Sequence, residues 1–199
     1  MKLQAKNICK SFGKTEVLKN LSLELEEGTM TAIVGENGSG KSTFLKILVG
    51  EWAPSSGQVS ILGNLGYCPQ HITLFPNLTV QNHFDFFAAA YSLELEAKLE
   101  RQSYLMNYFD YSKYSGYKVA QLSGGTAQKL NLSLALLHNP EILILDEPYS
   151  GFDWDTYLKF WSYTKEVLEQ NCTILIVSHL ISDKDRFDKI YKLDNGSLI

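Results

Sequence analysis

One glycine-rich segment of the chain has the residue types that bind phosphate. It runs from Gly35 to Ser42 and reads Gly-Glu-Asn-Gly-Ser-Gly-Lys-Ser, between a short apolar stretch and a predicted helix. Glycines let several backbone N–H groups turn toward one phosphate, and the following helix adds its positive N-terminus. Lys41 is expected to reach the terminal phosphates of a nucleotide, and the Ser42 hydroxyl to ligate Mg²⁺. The residues predicted to bind the nucleotide here are Gly35, Asn37, Gly38, Ser39, Gly40, Lys41, Ser42 and Thr43.

A pair of acidic residues follows an apolar stretch about a hundred residues later. Asp146 and Glu147 come directly after Ile142–Leu145, so both carboxylates are expected at the carboxyl end of a parallel sheet. Asp146 is predicted to act on Mg²⁺ through water, and Glu147 is a candidate general base for the attacking water. By itself the pattern is more typical of a strand that ends in an acidic loop. The phosphate-binding loop upstream reverses that preference.

The elements that must position these residues alternate between strands and helices. Leu21, Leu23 and Leu25 alternate with polar residues as in a half-buried strand, and Met30–Val34 is typical of a strand buried on both faces. Further strands are predicted at Val59–Leu62, Ile142–Leu145 and Thr173–Val177, and helices at Lys41–Val49, Ser123–His138 and Trp154–Glu169. This order predicts an α/β fold with a parallel sheet.

One stretch interrupts that alternation. Helical patterning dominates from Thr79, the predicted N-cap, to about Tyr111, and the stretch carries little β character. We therefore expect a single domain over residues 1–199, in which residues 1–75 and 121–199 form the core with an antiparallel β part, and residues 76–120 form an inserted helical lobe.

Composition narrows the class of protein before any motif is used. The chain has 199 residues, of which 45% are hydrophobic and 20% charged, as in a soluble globular protein that folds without disulfides. A net charge of −4 without a basic block argues against a protein built mainly to hold nucleic acid. The apolar runs are too short to cross a bilayer, and the start of the chain lacks the pattern of a secretory signal. Three scattered cysteines indicate a reduced, cytoplasmic compartment.

Leu122-Ser123-Gly124-Gly125 lies between the two motifs and gives them a family context. With both motifs in this order, the chain resembles the nucleotide-binding subunit of an ABC transporter over essentially all of its length. The resemblance implies a P-loop NTPase core with a mixed or parallel sheet, an N-terminal antiparallel part and the helical lobe. It also implies ATP and Mg²⁺ as cofactors, and ATP hydrolysis coupled to transport.

The same resemblance assigns roles to residues that local patterns leave undecided. Phe12 stands where the family has an aromatic ring that stacks on adenine, although by itself it is more typical of core packing. Gln70 matches a glutamine that senses Mg²⁺ and the γ-phosphate, and His179 matches a histidine that contacts the γ-phosphate. Asp153 lies in the segment that follows the second motif, and equally reads as a helix N-cap. The signature residues expected to contact nucleotide are Ser123, Gly124 and Gly125.

Positive charge is scarce around the expected γ-phosphate position. Phosphoryl transfer often uses an arginine finger, but the only two arginines, Arg101 and Arg186, lie outside the motifs. The helix that begins at Ser123 offers N–H donors and its dipole instead. In the family these donors come from the opposite subunit, so a lone copy is expected to be a poor ATPase.

Several positions depart from the family pattern. The signature continues with Thr126-Ala127 where glutamine and a basic residue are usual, and Gly151-Phe152 replaces the common Ala-Leu. Only 28 residues separate Lys41 from Gln70, which predicts a trimmed antiparallel sheet after Leu62. Because the sequence stops soon after its last predicted strand, we expect no C-terminal regulatory domain.

We expect an ATPase that powers a transporter, of the small exporter type, through separate membrane-spanning subunits and a second ATPase subunit. The expected location is the cytoplasmic face of the cell membrane, and no nucleic-acid partner is expected. The segment His71–Phe75 and the aromatic helix around Phe84, Phe86 and Phe87 are predicted to carry partner specificity. The alternatives are a soluble ABC-type ATPase acting on DNA, ribosomes or cofactor assembly, and a module that no longer hydrolyses ATP. Intact Lys41, Asp146, Glu147 and His179 argue against the last.

Overall fold

The computed structural model describes residues 1–71, 73–179 and 184–199. Its strands are β1 (Leu3–Phe12), β2 (Thr15–Leu25), β3 (Met30–Val34), β4 (Ser56–Ile61), β5 (Leu65–Cys68), β6 (Ile142–Asp146), β7 (Thr173–Ser178), β8 (Lys189–Asp194) and β9 (Ser197–Leu198). Its helices are α1 (Lys41–Leu48), α2 (Val80–Ala90), α3 (Leu95–Tyr108), α4 (Gly124–Leu136) and α5 (Trp154–Glu169). Short 3₁₀ turns lie at Ser112–Tyr114, Val119–Gln121 and Lys184–Arg186. The predicted elements are present, whereas β5, β8 and β9 were not predicted.

Two predicted boundaries are wrong by a few residues. β4 begins at Ser56 and not at Val59, because its first residues pair with β1 as far as Cys9. α4 ends at Leu136 and not at His138, because Asn139 adopts a left-handed φ of 50° and Pro140 follows it.

The larger sheet has the strand order β5-β6-β7-β3-β8-β9, and its first five strands run parallel. β6 and β7 are buried at every residue, as expected for strands covered on both faces. Alternate residues face opposite sides, so Leu143 and Leu145 pack into one hydrophobic cluster while Ile142 and Ile144 pack into another.

The smaller sheet is antiparallel, in the order β2-β1-β4, and confirms the expected N-terminal β part. Its buried leucines, including Leu21, Leu23 and Leu25, pack with α1 against one face of the parallel sheet. Helices α4 and α5 and the helical lobe cover the other face. The sequence between α1 and Gln70 is short because only β4 returns to this sheet before β5 begins.

The helical lobe consists of α2 and α3. The Thr79 hydroxyl accepts from the Asn82 N–H, which confirms Thr79 as the N-cap of α2. Phe84 is fully buried and packs in the same cluster as residues of α4, so it belongs to the core. The prediction that Phe84 lies on a partner surface is therefore wrong. Phe86, by contrast, is 51% exposed. No helix in the described part of the chain is long and apolar enough to span a membrane.

Candidate active site

Four segments that carry predicted site residues leave the parallel sheet at one edge. β3 ends before the glycine-rich loop, β5 ends before Gln70, β6 ends at Asp146, and β7 ends before His179. Because these strands are parallel, their carboxyl ends come together although they are far apart in sequence. They meet at a cavity of about 210 Å³, the site cavity. It is lined by Val17, Asn37, Gly38, Gly40, Lys41, Ser42, Thr43, Gln70, Asp146, Glu147 and His179.

The glycine-rich loop has the geometry of a phosphate cradle. Gly38 has no atom within 4 Å of the position where a Cβ would lie, and Gly40 has a φ of 107° that favours glycine. α1 begins directly after Gly40 with no side-chain cap and no acidic residue in its first turn. Its N-terminal N–H groups are therefore suited to an anion. The nucleotide phosphates implied by the motif fit these donors.

Gly35 and Ser39 support the loop from behind and do not line the site cavity. A Cβ on Gly35 would lie 2.4 Å from the Leu193 carbonyl oxygen, so a larger residue is excluded by the backbone of β8. The Ser39 hydroxyl is buried and has no hydrogen-bond partner among the described residues. Lys41 Nζ donates to the carbonyl oxygens of Gly35 at 2.6 Å and Glu36 at 2.9 Å. The lysine charge is thus held over the loop.

Asp146 is the last residue of β6 and is 5% exposed. Burial raises the pKa of its carboxyl group to about 6, and the neighbouring charge of Glu147 adds to the rise, while Lys41 and His71 act in the opposite direction. A cation beside this carboxyl group would favour its charged form. Among the described residues no group of three His, Cys, Asp or Glu side chains could hold a metal alone. Ser42, Asp146 and Gln70 therefore suit Mg²⁺ that arrives with nucleotide phosphates and water as further ligands.

Glu147 has an unusual backbone and a crowded carboxylate. Its φ of 48° lies in the left-handed region, which costs energy for a residue with a Cβ, and its N–H donates to the Val177 carbonyl at 2.9 Å. Ser178 Oγ donates to Oε2 at 2.9 Å, and the His179 backbone N–H donates to Oε1 at 2.6 Å. His179 Nδ1 lies 2.7 Å from the same Oε1. The last residue of β7 and the residue that follows it therefore hold the carboxylate at the site cavity.

The signature segment lies at the start of α4 but outside the site cavity. Ser123 Oγ accepts from the Thr126 N–H at 3.2 Å, which confirms Ser123 as the N-cap. Gly124 has open space where a Cβ would lie, whereas a Cβ on Gly125 would be 2.9 Å from the Gly151 carbonyl oxygen. None of Ser123, Gly124 and Gly125 lines the cavity that holds the other motifs.

A family model described as "ABC transporter" matches residues 18–150, about two thirds of the chain. This chain belongs to the ABC transporter family of ATP-binding domains. As an ABC ATPase it binds and hydrolyses ATP, and its fold is that of a P-loop NTPase.

Relatives and solved structures agree with this membership. The chain is 32% identical to the uncharacterized ABC transporter ATP-binding protein MJ1023 of Methanocaldococcus jannaschii, over the whole chain and 76% of that protein. It is 32% identical over 99% of its length to the probable multidrug ABC transporter ATP-binding protein YbhF of Escherichia coli, and 31% identical over 99% to ABC transporter G family member 20 of Dictyostelium discoideum. It spans only 36% and 29% of those two proteins.

Among solved structures, the dimeric structure of the bacterial ABC transporter cassette MJ0796 superposes with a TM-score of 0.89 at 27% identity, over 98% of this chain and 96% of that one. The structure of an ATP-binding subunit of an ABC transporter superposes with a TM-score of 0.95 at 26% identity, over 100% of this chain and 88% of that one.

Phe12 of this ABC ATPase lies at the end of β1 and is 46% exposed, so it is not a core residue. Its ring meets the Trp52 ring edge-on, with centroids 5.4 Å apart, and Lys10 Nζ lies 5.2 Å from its centroid. Lys46 Nζ lies 4.5 Å from the Trp52 ring. Trp52 was not predicted as a site residue, because its contact with Phe12 joins two distant segments. The arrangement presents an aromatic surface that suits a flat base.

Asp153, Arg101 and Arg186 are the remaining residues to which the sequence analysis gave a position relative to the motifs. Asp153 Oδ1 accepts from the Thr156 N–H at 2.8 Å, so it caps α5. Hydrogen bonding from the Thr156 side chain, and then from its backbone N–H, lowers the pKa of the Asp153 carboxyl group. Arg101 donates to the Leu136 carbonyl, and Arg186 lies over the Trp161 ring. Neither arginine lines the site cavity of this ABC ATPase, as the sequence predicted.

The unusual Thr126 acts on the signature segment itself. Its Oγ1 lies 2.9 Å from Ser123 Oγ, so the two hydroxyls share a hydrogen bond at the start of α4. This contact was not anticipated, because the sequence shows the replacement and not the direction of its side chain.

Proposed function

We propose that this ABC ATPase powers a membrane transporter of the exporter type by dimerising around ATP with a second ATPase subunit. The observation that carries the proposal is the division of the motifs. The site cavity collects the phosphate loop, Asp146, Glu147 and His179, while Ser123–Gly125 lies outside it in the same chain. A second subunit that brings its own signature helix against this cavity would supply the missing donors.

Within one subunit the proposed roles follow from the geometry. Lys41 and the N-terminus of α1 bind the phosphates, and Ser42, Asp146 and Gln70 hold Mg²⁺. Mg²⁺ bound with the nucleotide neutralises charge on the phosphate oxygens. Glu147 accepts the proton of the attacking water, and His179 orients that carboxylate while facing the γ-phosphate. Phe12 supports the adenine ring by stacking. Asp153, in the segment after β6, contributes to nucleotide binding.

The membrane partner is proposed to dock beside Gln70. A groove of about 570 Å³ runs between the core and the helical lobe, and Gln70 lines both this groove and the site cavity. Next to the lobe lies an apolar patch formed by Phe75, Pro76, Leu78 and Phe86. The fully buried His83 accepts from the Phe75 N–H through Nε2 at 2.9 Å and fixes the segment before the lobe. Ile72, within the predicted contact segment, lies outside the described residues.

A partner that presses on this groove would act on Gln70 and so on hydrolysis, which suits an ATPase that drives a membrane protein. We accordingly place the subunit at the cytoplasmic face of the cell membrane. The relatives named above are all described as ABC transporter proteins, which favours this proposal over a soluble ABC-type ATPase working on DNA, ribosomes or cofactor assembly. No nucleic-acid partner is proposed.

The test is to purify the tagged full chain from detergent-solubilised membranes of its own cell and to identify proteins bound in stoichiometric amount. We expect a protein with several transmembrane helices, whose reconstitution with this chain raises ATP turnover. Phe86→Lys should abolish that stimulation, because it places a charge in the apolar patch. The matched control is Leu99→Lys, since Leu99 is also 51% exposed but lines neither the groove nor the patch. A stoichiometric soluble partner that stimulates turnover in place of a membrane protein would contradict the proposal.

A further inference from the structure

Two carboxamide side chains are buried on one face of α4. Gln128 is 3% exposed and Asn131 is 6% exposed, and a spacing of three residues places them on neighbouring turns of the helix. Burying an amide costs free energy unless it is hydrogen-bonded, and this helix otherwise buries mostly apolar residues and small ones. Their partners therefore decide what these two residues do.

Both amides donate to backbone carbonyls that adjoin proposed catalytic residues. Asn131 Nδ2 donates to the Pro69 carbonyl at 3.0 Å, directly before Gln70. Gln128 Nε2 donates to the Pro148 carbonyl at 3.1 Å, directly after Glu147. Asn131 Nδ2 also lies 3.3 Å from Cys68 Sγ, which is a weak acceptor, so the Pro69 carbonyl is the nearer and stronger partner.

Through the two acceptor carbonyls, a movement of α4 would displace the segments that contain Gln70 and Glu147. Both carbonyls belong to proline, whose ring fixes φ and so restricts the direction of the chain on either side. Both also follow the ends of neighbouring strands, since β5 and β6 pair through Cys68 and Leu145. A shift of α4 would therefore move the carbonyls that hold Gln70 and Glu147 together.

We infer that Gln128 and Asn131 are positioning residues for ATP hydrolysis, which set Gln70 and Glu147 relative to the signature helix. The inference rests on the roles proposed for Gln70 and Glu147 above. Because Ser123–Gly125 begins the same helix, engagement of the signature segment by a second subunit bears directly on both residues. Neither amide lines the site cavity, so both act through the backbone that they hold.

The test compares the same substitution at two buried amides. Gln128→Met removes the bond to Pro148, whereas Gln102→Met removes a buried amide of α3 whose partner is Gln81, within the helical lobe. Asn131→Leu tests the bond to Pro69. We expect Gln128→Met and Asn131→Leu to lower kcat by about 10- to 100-fold, because small misplacements of catalytic groups cost rates of that order. KM for Mg-ATP should stay within about twofold, and Gln102→Met should leave kcat unchanged.

A second measurement does not depend on activity. Hydrogen exchange of peptides that contain Gln70 and Glu147 should be faster in Gln128→Met and Asn131→Leu than in the wild type or Gln102→Met. If Asn131→Leu fails to fold, Asn131→Ser is used as the test variant, because it keeps a polar side chain of smaller size. Equal loss of kcat in all variants, or a raised KM with intact kcat, would overturn the inference. A wild-type protein without ATPase activity would instead refute the proposed function. The exchange comparison would still show whether Gln128 and Asn131 hold the segments that contain Glu147 and Gln70.

Discussion

The backbone N–H and the imidazole Nδ1 of His179 both reach Oε1 of Glu147, at 2.6 and 2.7 Å. With the carboxylate ionised, Nδ1 is the protonated ring nitrogen, because a carboxylate oxygen only accepts. Ser178 Oγ, at the end of β7, holds the other oxygen, so two consecutive residues at the carboxyl end of this strand fix both oxygens of the carboxylate. The side chain of Glu147 is buried, whereas that of His179 is 60% exposed and remains open to the site cavity. The pair therefore joins an oriented base to an exposed ring.

Replacing Glu147 with glutamine tests the proposed base. Glu147→Gln keeps the size of the side chain but cannot accept the proton of water, so hydrolysis should fall by about 10²–10⁴-fold. The phosphate loop does not involve this carboxylate, so ATP binding should persist and the variant should accumulate as an ATP-bound dimer. Light scattering with and without ATP and Mg²⁺, beside a turnover assay, measures both effects.

The control for that dimer is Ser123→Arg in the Glu147→Gln background. Arginine at the start of α4 should block the contact between signature segment and nucleotide, so the double variant should stay monomeric at saturating ATP. A dimer that survives Ser123→Arg would contradict the proposed arrangement of the two subunits. A Glu147→Gln protein that stays monomeric while Thr126→Gln restores dimerisation would identify the Thr126–Ser123 hydrogen bond as the cause.

Removal of the Lys41 ammonium group tests the phosphate loop. Lys41→Ala deletes the charge that lies over Gly35 and Glu36, and nucleotide affinity should fall at least about tenfold, since hydrogen bonds to charged groups contribute roughly 1.5–3 kcal/mol. The fold should survive, because Lys41 is half-exposed and outside the hydrophobic clusters. Calorimetric titration with ATP measures the affinity, and Lys165→Ala is the matched control, since Lys165 is an exposed helical lysine that lines neither the site cavity nor the groove. Unchanged affinity in Lys41→Ala would refute the assignment.

The exposed ring of Phe12 gives a prediction about the base. Phe12→Ala should weaken ATP binding by about 1–3 kcal/mol, by analogy with aromatic stacking on bases, and should change thermal stability little because the ring is 46% exposed. The effect on inorganic triphosphate, which lacks a base, should be negligible. Equal weakening for ATP and triphosphate, or a large loss of stability, would show that Phe12 acts through the fold.

His138 should make the stability of the protein depend on pH. Burial lowers the pKa of its imidazole below the ordinary value of 6.5; the Leu65 carbonyl, 3.1 Å from Nε2, opposes the shift, and the ring stacks on Tyr91. The folded state disfavours the charged ring, so this contribution to stability is full above pH 6.5 and is lost as the pH falls toward the lower folded-state pKa. Chemical denaturation between pH 5 and 7.5 measures the free energy of unfolding. The difference in this free energy between the wild type and His138→Gln should become smaller as the pH falls. A difference that stays constant or grows at low pH would show that burial of His138 does not cause the pH dependence.

Local chemistry made part of the fold readable from the sequence. The caps at Thr79, Ser123 and Asp153 follow from a side chain and a backbone N–H three residues away, and the structure has all three. The buried strands β3 and β6 follow from short apolar runs. β5, β8 and β9 escaped prediction because Leu65–Cys68 contains a glycine, the charges of Lys189–Asp194 are irregularly spaced, and Ser197–Leu198 is only two residues long. Neighbouring strands decide their conformation.

The sequence by itself determined which groups are available for chemistry: the phosphate loop, the acidic pair at the end of β6, and the histidine after β7. Only the tertiary structure decided that they share one cavity, that Ser123–Gly125 lies outside it, and that Phe84 is core while Phe86 is exposed. It also decided that Trp52 supports Phe12, and that Gln128 and Asn131 hold Pro148 and Pro69. The reason is physical: a motif depends on residues within a few positions of each other. These other relationships join segments tens of residues apart, and the parallel sheet and the packing of α4 against it bring those segments together.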